Sequence, residues 1–303
     1  MIRKYLPAIA AFLLLVFTSC VSRPQFSVED EALLYPVSSY VPDSFEWQEV
    51  CPGISRFDYK NSEFPIIYHV VKIDLTLAGL SLSCFPDKGG AQPFIFRGLK
   101  TKNFAKKYDC TVAVNLSPFA GKNGAWDLAA KLGTSRQIGG VHVADGLLIS
   151  APVERYAAIY FKSEVDDVGQ NYWLASIEKN QTEKAASESD YAFGGFYVVL
   201  ENGEVIDSFR RNHDTRTGFG ISDGGKTLFI MVAEGENTLK SEGLSYPQCA
   251  AIFKALGCTD ALEMDGGGSS ELCINGKSIL SYKNLRTQAN SLGFSVKTPG
   301  DLN

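Results

Sequence analysis

Histidine is scarce in this chain: His69, His142 and His213 are the only three among 303 residues, and they lie far apart in sequence. No Cys-x-x-Cys pair and no local His/Cys cluster occurs, so the ligand spacings of a zinc site are missing. Basic runs and stripes are missing too, and acidic residues outnumber basic ones 34 to 29. That balance argues against nucleic acid as a partner and against electrostatic attraction to anionic lipid surfaces. Long apolar stretches are also absent. The run from Leu6 to Phe17 falls short of the roughly 20 residues that a membrane-spanning helix needs.

That run has another reading. Arg3 and Lys4 precede it, and Thr18-Ser19-Cys20 follows, which gives a charged segment, an apolar segment and small residues in the order of an export signal. The Cys after Phe17-Thr18-Ser19 resembles a bacterial lipoprotein signal, in which Cys20 is lipidated and becomes the first residue of the mature chain. Residues 1–19 are then a signal peptide, and the mature chain carries 27 basic against 34 acidic residues, a balance of −7. The lipid on Cys20 would hold the protein to a membrane of the bacterial cell envelope, facing periplasm or cell surface. Six cysteines remain: Cys51, Cys84, Cys110, Cys249, Cys258 and Cys273. Export allows them to oxidise, but spacing gives no connectivity.

What the chain has in abundance is glycine, 28 residues, and short apolar runs within a composition that is 45% hydrophobic. This favours a strand-rich fold. Residues 20–45, with Pro24, Pro36 and Pro42, are predicted to be a tether, and residues 46–298 one domain. Three strands are expected between residues 46 and 86, a helix over 98–108, and a strand Thr111–Val114 that runs into Asn115. Asp145-Gly146 and Asn202-Gly203 between apolar runs signal hairpins. Residues 163–192 are polar and read as an insertion or lid with a short helix near 178–184. Gly194–Leu200 reads as a single strand. The best-marked helix covers 245–256: Ser245 and Gln248 form a capping box, Pro247 sits in the first turn, and Gly257 stops it. The fold class is α+β: a large mixed, mostly antiparallel sheet system with flanking helices.

The helix leads into Asp260-Ala-Leu-Glu-Met-Asp-Gly-Gly-Gly-Ser-Ser-Glu271. It reads as a short strand that stops in a glycine turn. Alternation turns Leu262 and Met264 to one face and Glu263 and Asp265 to the other. Successive N–H groups of Gly266, Gly267 and Gly268 can form a concave anion nest. Arg216 precedes an apolar segment, where it can clamp a phosphate or bridge strand carboxylates.

Asn115 after a strand, Gly194-Gly195, Arg216-Thr-Gly-Phe-Gly220 and Asp265-Gly-Gly-Gly-Ser-Ser270 stand in this order. With the helix that ends in Leu256-Gly257, they resemble the phosphodiester glycosidase family over roughly residues 65–296. The family's pattern differs at three points: Asn115 is followed by Leu116-Ser117-Pro118-Phe119, Thr215 stands where Pro is usual, and Glu234-Gly235-Glu236 replaces Asp-Gly-Arg. The last difference removes a positive charge from the region where phosphate is expected.

The resemblance implies cleavage of the glycosidic bond of a sugar-1-phosphodiester, with a GlcNAc-1-phosphodiester-like carbohydrate as substrate. Phosphate is already a stable anion when it leaves, so the demands are to stabilise an oxocarbenium-like centre and to neutralise phosphate. It implies Arg216 and the N–H groups of Gly266, Gly267 and Gly268, with Ser269 and Gly195, at the substrate. Asp265 is the first candidate catalytic carboxylate and Glu234 the second, with Glu263 as a support or sugar ligand. Asn115 binds sugar or orients a carboxylate, and His213 is a candidate proton carrier. No cofactor is required, although the same carboxylates offer oxygen ligands for Ca²⁺. Two other readings stay open: a non-catalytic lipoprotein that binds a glycan or envelope polymer, and a hydrolase of another bond.

Overall fold

The computed structural model describes residues 35–89, 95–121, 135–207 and 210–296. Residues 1–34, with Cys20, the signal segment and most of the tether, lie outside them, as do residues 297 and 298.

Strands are numbered in chain order. The largest sheet runs β1 (Gln48–Cys51), β2 (Ile54–Asn61), β3 (Ile66–Asp74), β17 (Thr227–Ala233), β16 (Arg216–Ser222), β18 (Asp260–Glu263), β14 (Val198–Glu201), β15 (Glu204–Val205). A five-stranded sheet runs β20 (Lys277–Ser278), β19 (Leu272–Ile274), β6 (Val112–Asn115), β21 (Ser291–Val296), β4 (Leu80–Phe85). A second five-stranded sheet runs β10 (Leu147–Ser150), β9 (His142–Ala144), β13 (Tyr191–Gly194), β11 (Ala158–Val165), β12 (Asn171–Glu178). A small sheet joins β5 (Ile95–Arg97), β8 (Ser135–Ile138) and β7 (Phe119–Gly121). The helices are α1 (Thr101–Lys107), α2 (Glu183–Ser187) and α3 (Tyr246–Ala255).

Alternation along the central strands sorts their side chains into two cores. Val71, Ile73, Phe219, Ile230, Val232 and Leu262 face the five-stranded sheets and join Val114, Phe193, Leu292 and Phe294. Val70, Phe229, Met231 and Ala261 face the other way and pack on Cys249, Ile252 and Phe253 of α3. Gly218 and Gly220 of β16 lie under that helix. A Cβ on Gly220 would come within 2.6 Å of the Phe253 ring and 2.7 Å of Cys258 Sγ, so the two glycines set how closely helix and sheet approach.

The α3 cap forms as its sequence demands: Ser245 Oγ accepts from Gln248 N, and Gln248 Oε1 accepts from Ser245 N. The Asp145-Gly146 and Asn202-Gly203 turns have positive φ at both residues, the geometry of a tight hairpin.

The expected α+β class with mostly antiparallel sheets is what the protein has, and every strand pairing among the described residues is antiparallel. Several other expectations are revised. Residues 46–86 form four strands, not three, because Gln48–Cys51 adds an edge strand. Residues 35–45 of the expected tether pack on the domain: Tyr40 is buried in the α3-side core and its carbonyl accepts from the Tyr68 hydroxyl. The region 163–192 is no irregular lid. It completes a long β11–β12 hairpin, with α2 at 183–187. The strand expected over 194–200 is broken at Gly195, between β13 and β14. The six cysteines are free thiols, all buried except the partly buried Cys51.

Gly220→Ala is expected to destabilise the domain by about 1–3 kcal/mol, because neither the Phe253 ring nor Cys258 has room to withdraw. Urea unfolding followed by fluorescence would measure it, and an unchanged midpoint would refute the packing argument.

Candidate active site

Strand β18 belongs to the eight-stranded sheet and β19 to a five-stranded one. The glycine-rich stretch between them is therefore the crossing from one sheet to the other. Its shape is set by main-chain contacts. Gly267 has φ +57° and donates to Thr215 O at 2.8 Å. A Cβ on Gly266 would meet the same carbonyl at 2.6 Å, and a Cβ on Gly235 would meet Thr215 N at 2.5 Å. The Thr215 backbone thus threads between two glycines, and no side chain fits at either.

Of the three glycine N–H groups expected in an anion nest, that of Gly267 is engaged within the protein. The N–H groups of Gly267, Ser269 and Ser270 already donate to Thr215 O, Gly266 O and Gly267 O. Asp265, Gly266, Gly267 and Gly268 are partly exposed, whereas Ser269 and Ser270 are buried.

Asn115 closes the crossing from the β6 side. Its Nδ2 donates to Asp265 O at 2.6 Å, and its Oδ1 accepts from Glu271 N at 3.0 Å and lies 3.1 Å from the Thr217 hydroxyl. That hydroxyl is also 2.9 Å from Ser270 Oγ. Asp265 N in turn donates to Leu116 O. Asn115 is fully buried, so it acts on the Asp265 main chain and is not open to a sugar.

Asp265 has the chemistry of a site residue. Desolvation pushes its carboxyl up to about 7, against the Ser269 hydrogen bond and the Arg286 charge that favour the anion. Arg286 Nη1 donates to Ser269 Oγ at 3.1 Å. The guanidinium rests on the turn, since a Cβ on Gly268 would lie 3.2 Å from Nη2. Asp265, Ser269 and the partly buried Arg286 therefore form one line along the glycine turn. Sequence reading missed Arg286, which sits in a stretch of mixed polarity with no strand or helix signal.

The other candidates are placed elsewhere or engaged differently. Arg216 Nε donates to Leu244 O at 2.8 Å and Nη2 to Asn212 O at 2.6 Å, with the guanidinium over the Tyr246 ring. One of its nitrogens thus holds the 210–215 loop at Asn212, and another holds the Leu244 carbonyl before α3. Glu263 is only 1% exposed and faces Arg216 and Cys249 on the α3 side; desolvation raises it to about 7 against the Arg216 charge. It does not line the turn with Asp265. Glu234 is 2% exposed, and hydrogen bonds from His69 and Ser281 lower its pKa despite burial. His213 is buried against the Tyr35 ring, 4.5 Å between centroids. Gly195 allows close approach to β18, where a Cβ would meet Glu263 O at 2.7 Å. Among the described residues, no group of three or more His, Cys, Asp or Glu side chains could hold a metal ion.

A buried carboxyl raised from 4.5 to about 7 keeps a proton that the unfolded chain has released. Its contribution to stability is complete below about pH 4.5 and is lost as pH rises through about 7. Glu263→Gln lacks this titration, so its melting temperature relative to wild type is expected to climb from pH 5 to 8. A constant difference across that window would show that Glu263 is ionised throughout.

Residues 102–295 match the phosphodiester glycosidase family. No curated protein matches. Among solved structures, the catalytic domain of zebrafish N-acetylglucosamine-1-phosphodiester alpha-N-acetylglucosaminidase, auto-inhibited by its pro-peptide, aligns at TM-score 0.55 and 17% identity, over 86% of this chain and 86% of that one. A Synechocystis protein aligns at TM-score 0.58 and 14% identity over 84% of this chain, which spans 64% of that protein's length. A Burkholderia pseudomallei K96243 protein aligns at 0.51 and 16%, over 76% of this chain and 74% of that one. These likenesses agree on the fold, and the match over 102–295 decides the family: the chain belongs to the phosphodiester glycosidases.

Proposed function

We propose that the protein hydrolyses the glycosidic bond of a sugar-1-phosphodiester, with Asp265 as the catalytic carboxylate and Arg286 as the phosphate ligand. The observation that carries this reading is the line of Asp265, Ser269 and Arg286 along a partly exposed glycine turn. It sets a carboxylate for the sugar carbon beside a guanidinium for the phosphate. Arg286 also supplies the positive charge that Glu236 removes from the segment after β17. A guanidinium suits this task because it binds phosphate oxygens in pairs.

The balance of the reaction is simple. The bond between the anomeric carbon and the phosphate oxygen breaks, and its electrons leave with the phosphate. A water hydroxyl ends on the carbon and the water's other proton ends on the released phosphate or in solvent, giving a free sugar and a phosphomonoester. Asp265 acts as the anion, either on water or on the carbon itself. The leaving phosphate needs charge neutralisation more than a proton, which is the part assigned to Arg286. Arg216 and Asn115 act behind these groups: one fixes the loop carrying Thr215, the other the main chain of Asp265.

The activity would be exerted in the bacterial cell envelope. The apolar run Leu6–Phe17 followed by Cys20 supports lipid anchoring there, and Cys20→Ser is expected to move the protein from the membrane fraction to the soluble one.

With a GlcNAc-1-phosphodiester analogue, kcat/KM should rise as pH passes through about 7 and Asp265 ionises. Asp265→Asn should abolish sugar release. Arg286→Ala should lower kcat/KM on the diester by about 10²–10³-fold while sparing any cleavage of an uncharged aryl glycoside. Release of an intact sugar phosphate, or equal loss on both substrates, would overturn the assignment.

A further inference from the structure

Asp58, His69, Val232 and Thr217 are direct cross-strand neighbours on β2, β3, β17 and β16. The row starts at a partly exposed carboxylate and ends at the hydroxyl that contacts Asn115 and Ser270. Within it His69 is bound on both ring nitrogens. Nδ1 is 2.7 Å from Asp58 Oδ1, and Nε2 is 2.9 Å from Glu234 Oε1. A neutral imidazole has one N–H and one lone pair. Between two carboxylates the lone pair would face an acceptor, so the geometry calls for a proton on both nitrogens.

Glu234 passes the contact on. Ser281 N donates to its Oε1 at 2.8 Å and the Ser281 hydroxyl donates to its Oε2. From Ser281 the chain runs across the glycine turn. Asn284 Nδ2 donates to Ser270 O at 2.8 Å, Asn284 Oδ1 accepts from Arg286 N at 2.8 Å, and Gln288 Nε2 donates to Ser269 O at 3.0 Å. Residues 281–288 are thus a strap. It is fastened to Glu234 at one end and to Ser269 at the other, with Arg286 between.

We propose that Asp58 and His69 are positioning residues which, through Glu234 and Ser281, hold the strap so that Arg286 lies against the glycine turn. This rests on the reading of Arg286 as the phosphate ligand. It also gives Glu234 an occupation other than acid–base chemistry, since both its oxygens are committed.

The charges around the ring are Asp58 from β2, Glu234 from the end of β17, and Arg56, whose Nη2 is 3.2 Å from Asp58 Oδ2. Glu236 and Glu271 add negative field at Tyr282, next to Ser281. Burial disfavours the imidazolium, but the hydrogen bonds to Asp58 and Glu234 outweigh it and raise the His69 pKa. The strap is therefore held while His69 keeps its proton and loosens as pH rises past that raised value.

The test uses the full chain, NMR titration of the His69 ring and the Arg286 side-chain Nε–H, and inorganic phosphate binding by calorimetry across pH. In wild type the Arg286 resonance should follow the His69 titration, and phosphate affinity should fall on the same alkaline limb. Asp58→Asn should move both the His69 midpoint and that limb about one to two pH units lower, with affinity near wild type on the acid side. Ser281→Ala should weaken phosphate binding several-fold and leave the His69 titration in place. An Arg286 resonance indifferent to His69 would overturn the relay, as would a limb that stays put while the His69 midpoint moves. Should Asp58→Asn fail to fold, Ser281→Ala and the wild-type titrations still decide. Absence of phosphate binding at every pH, with Arg286 still following His69, would sink the phosphate reading and keep the relay.

Discussion

The side-chain amide of Asn115 is the contact on which the rest of this site depends. It comes from the end of a strand in one sheet and bonds the main chain on both sides of the crossing, at Asp265 O and Glu271 N. The polypeptide between those two points must change sheets within a few residues while its polar groups stay satisfied. An unpaired buried amide would cost about 1–3 kcal/mol, so the crossing is tied at both ends and pinned in the middle by Thr215 O on Gly267 N. The Asp265 main chain then has little freedom, which is what the role proposed for its carboxylate requires.

The charged groups around this frame fall into two sets. Asp265 and Glu263 are desolvated and titrate near 7, whereas Glu234 and Asp58 are held below the ordinary carboxylate range by hydrogen bonds with His69. The buried histidines divide in the same way. His142 Nε2 donates to Pro86 O, its Nδ1 faces the Asn290 amide, and burial lowers its pKa to about 4. His69, of similar burial, is flanked by carboxylates and goes the other way. Burial alone does not set the charge; the partner at each nitrogen does.

What could be read from sequence was whatever is local. The α3 cap, the Asp145-Gly146 turn and the strand ending in a glycine turn depend on residues within a few positions of one another, and each is present. The face alternation of Leu262 and Glu263 held, because it follows from strand geometry alone. The β11–β12 hairpin was misread because the mostly polar stretch Lys162–Gln170 separates the apolar parts of the two strands, and because β12 is an edge strand in which Ala175 alone is buried. Arg286, Asp58 and His69 were invisible for another reason. Their partners lie 11 to 165 positions away, joined by strand pairing or by the strap, and no local pattern marks such pairs. The assignment of Arg216 to phosphate came from motif order. The structure gives two nitrogens of that side chain the carbonyls of Leu244 and Asn212 as partners and sets a second cation, Arg286, on the turn.

The placing of the glycine turn at a sheet crossing has a consequence for how the molecule breathes. A site built on a peripheral loop can melt while its scaffold stays intact, and its amides then exchange hydrogen quickly. Here the stretch from Asp265 to Glu271 is shared property of both sheets. Freeing it requires Asn115 to let go and the two layers to part, an event close to unfolding of the whole domain. Order at the turn and order of the fold are one cooperative unit, so a ligand that grips the turn acts as a brace across the sandwich.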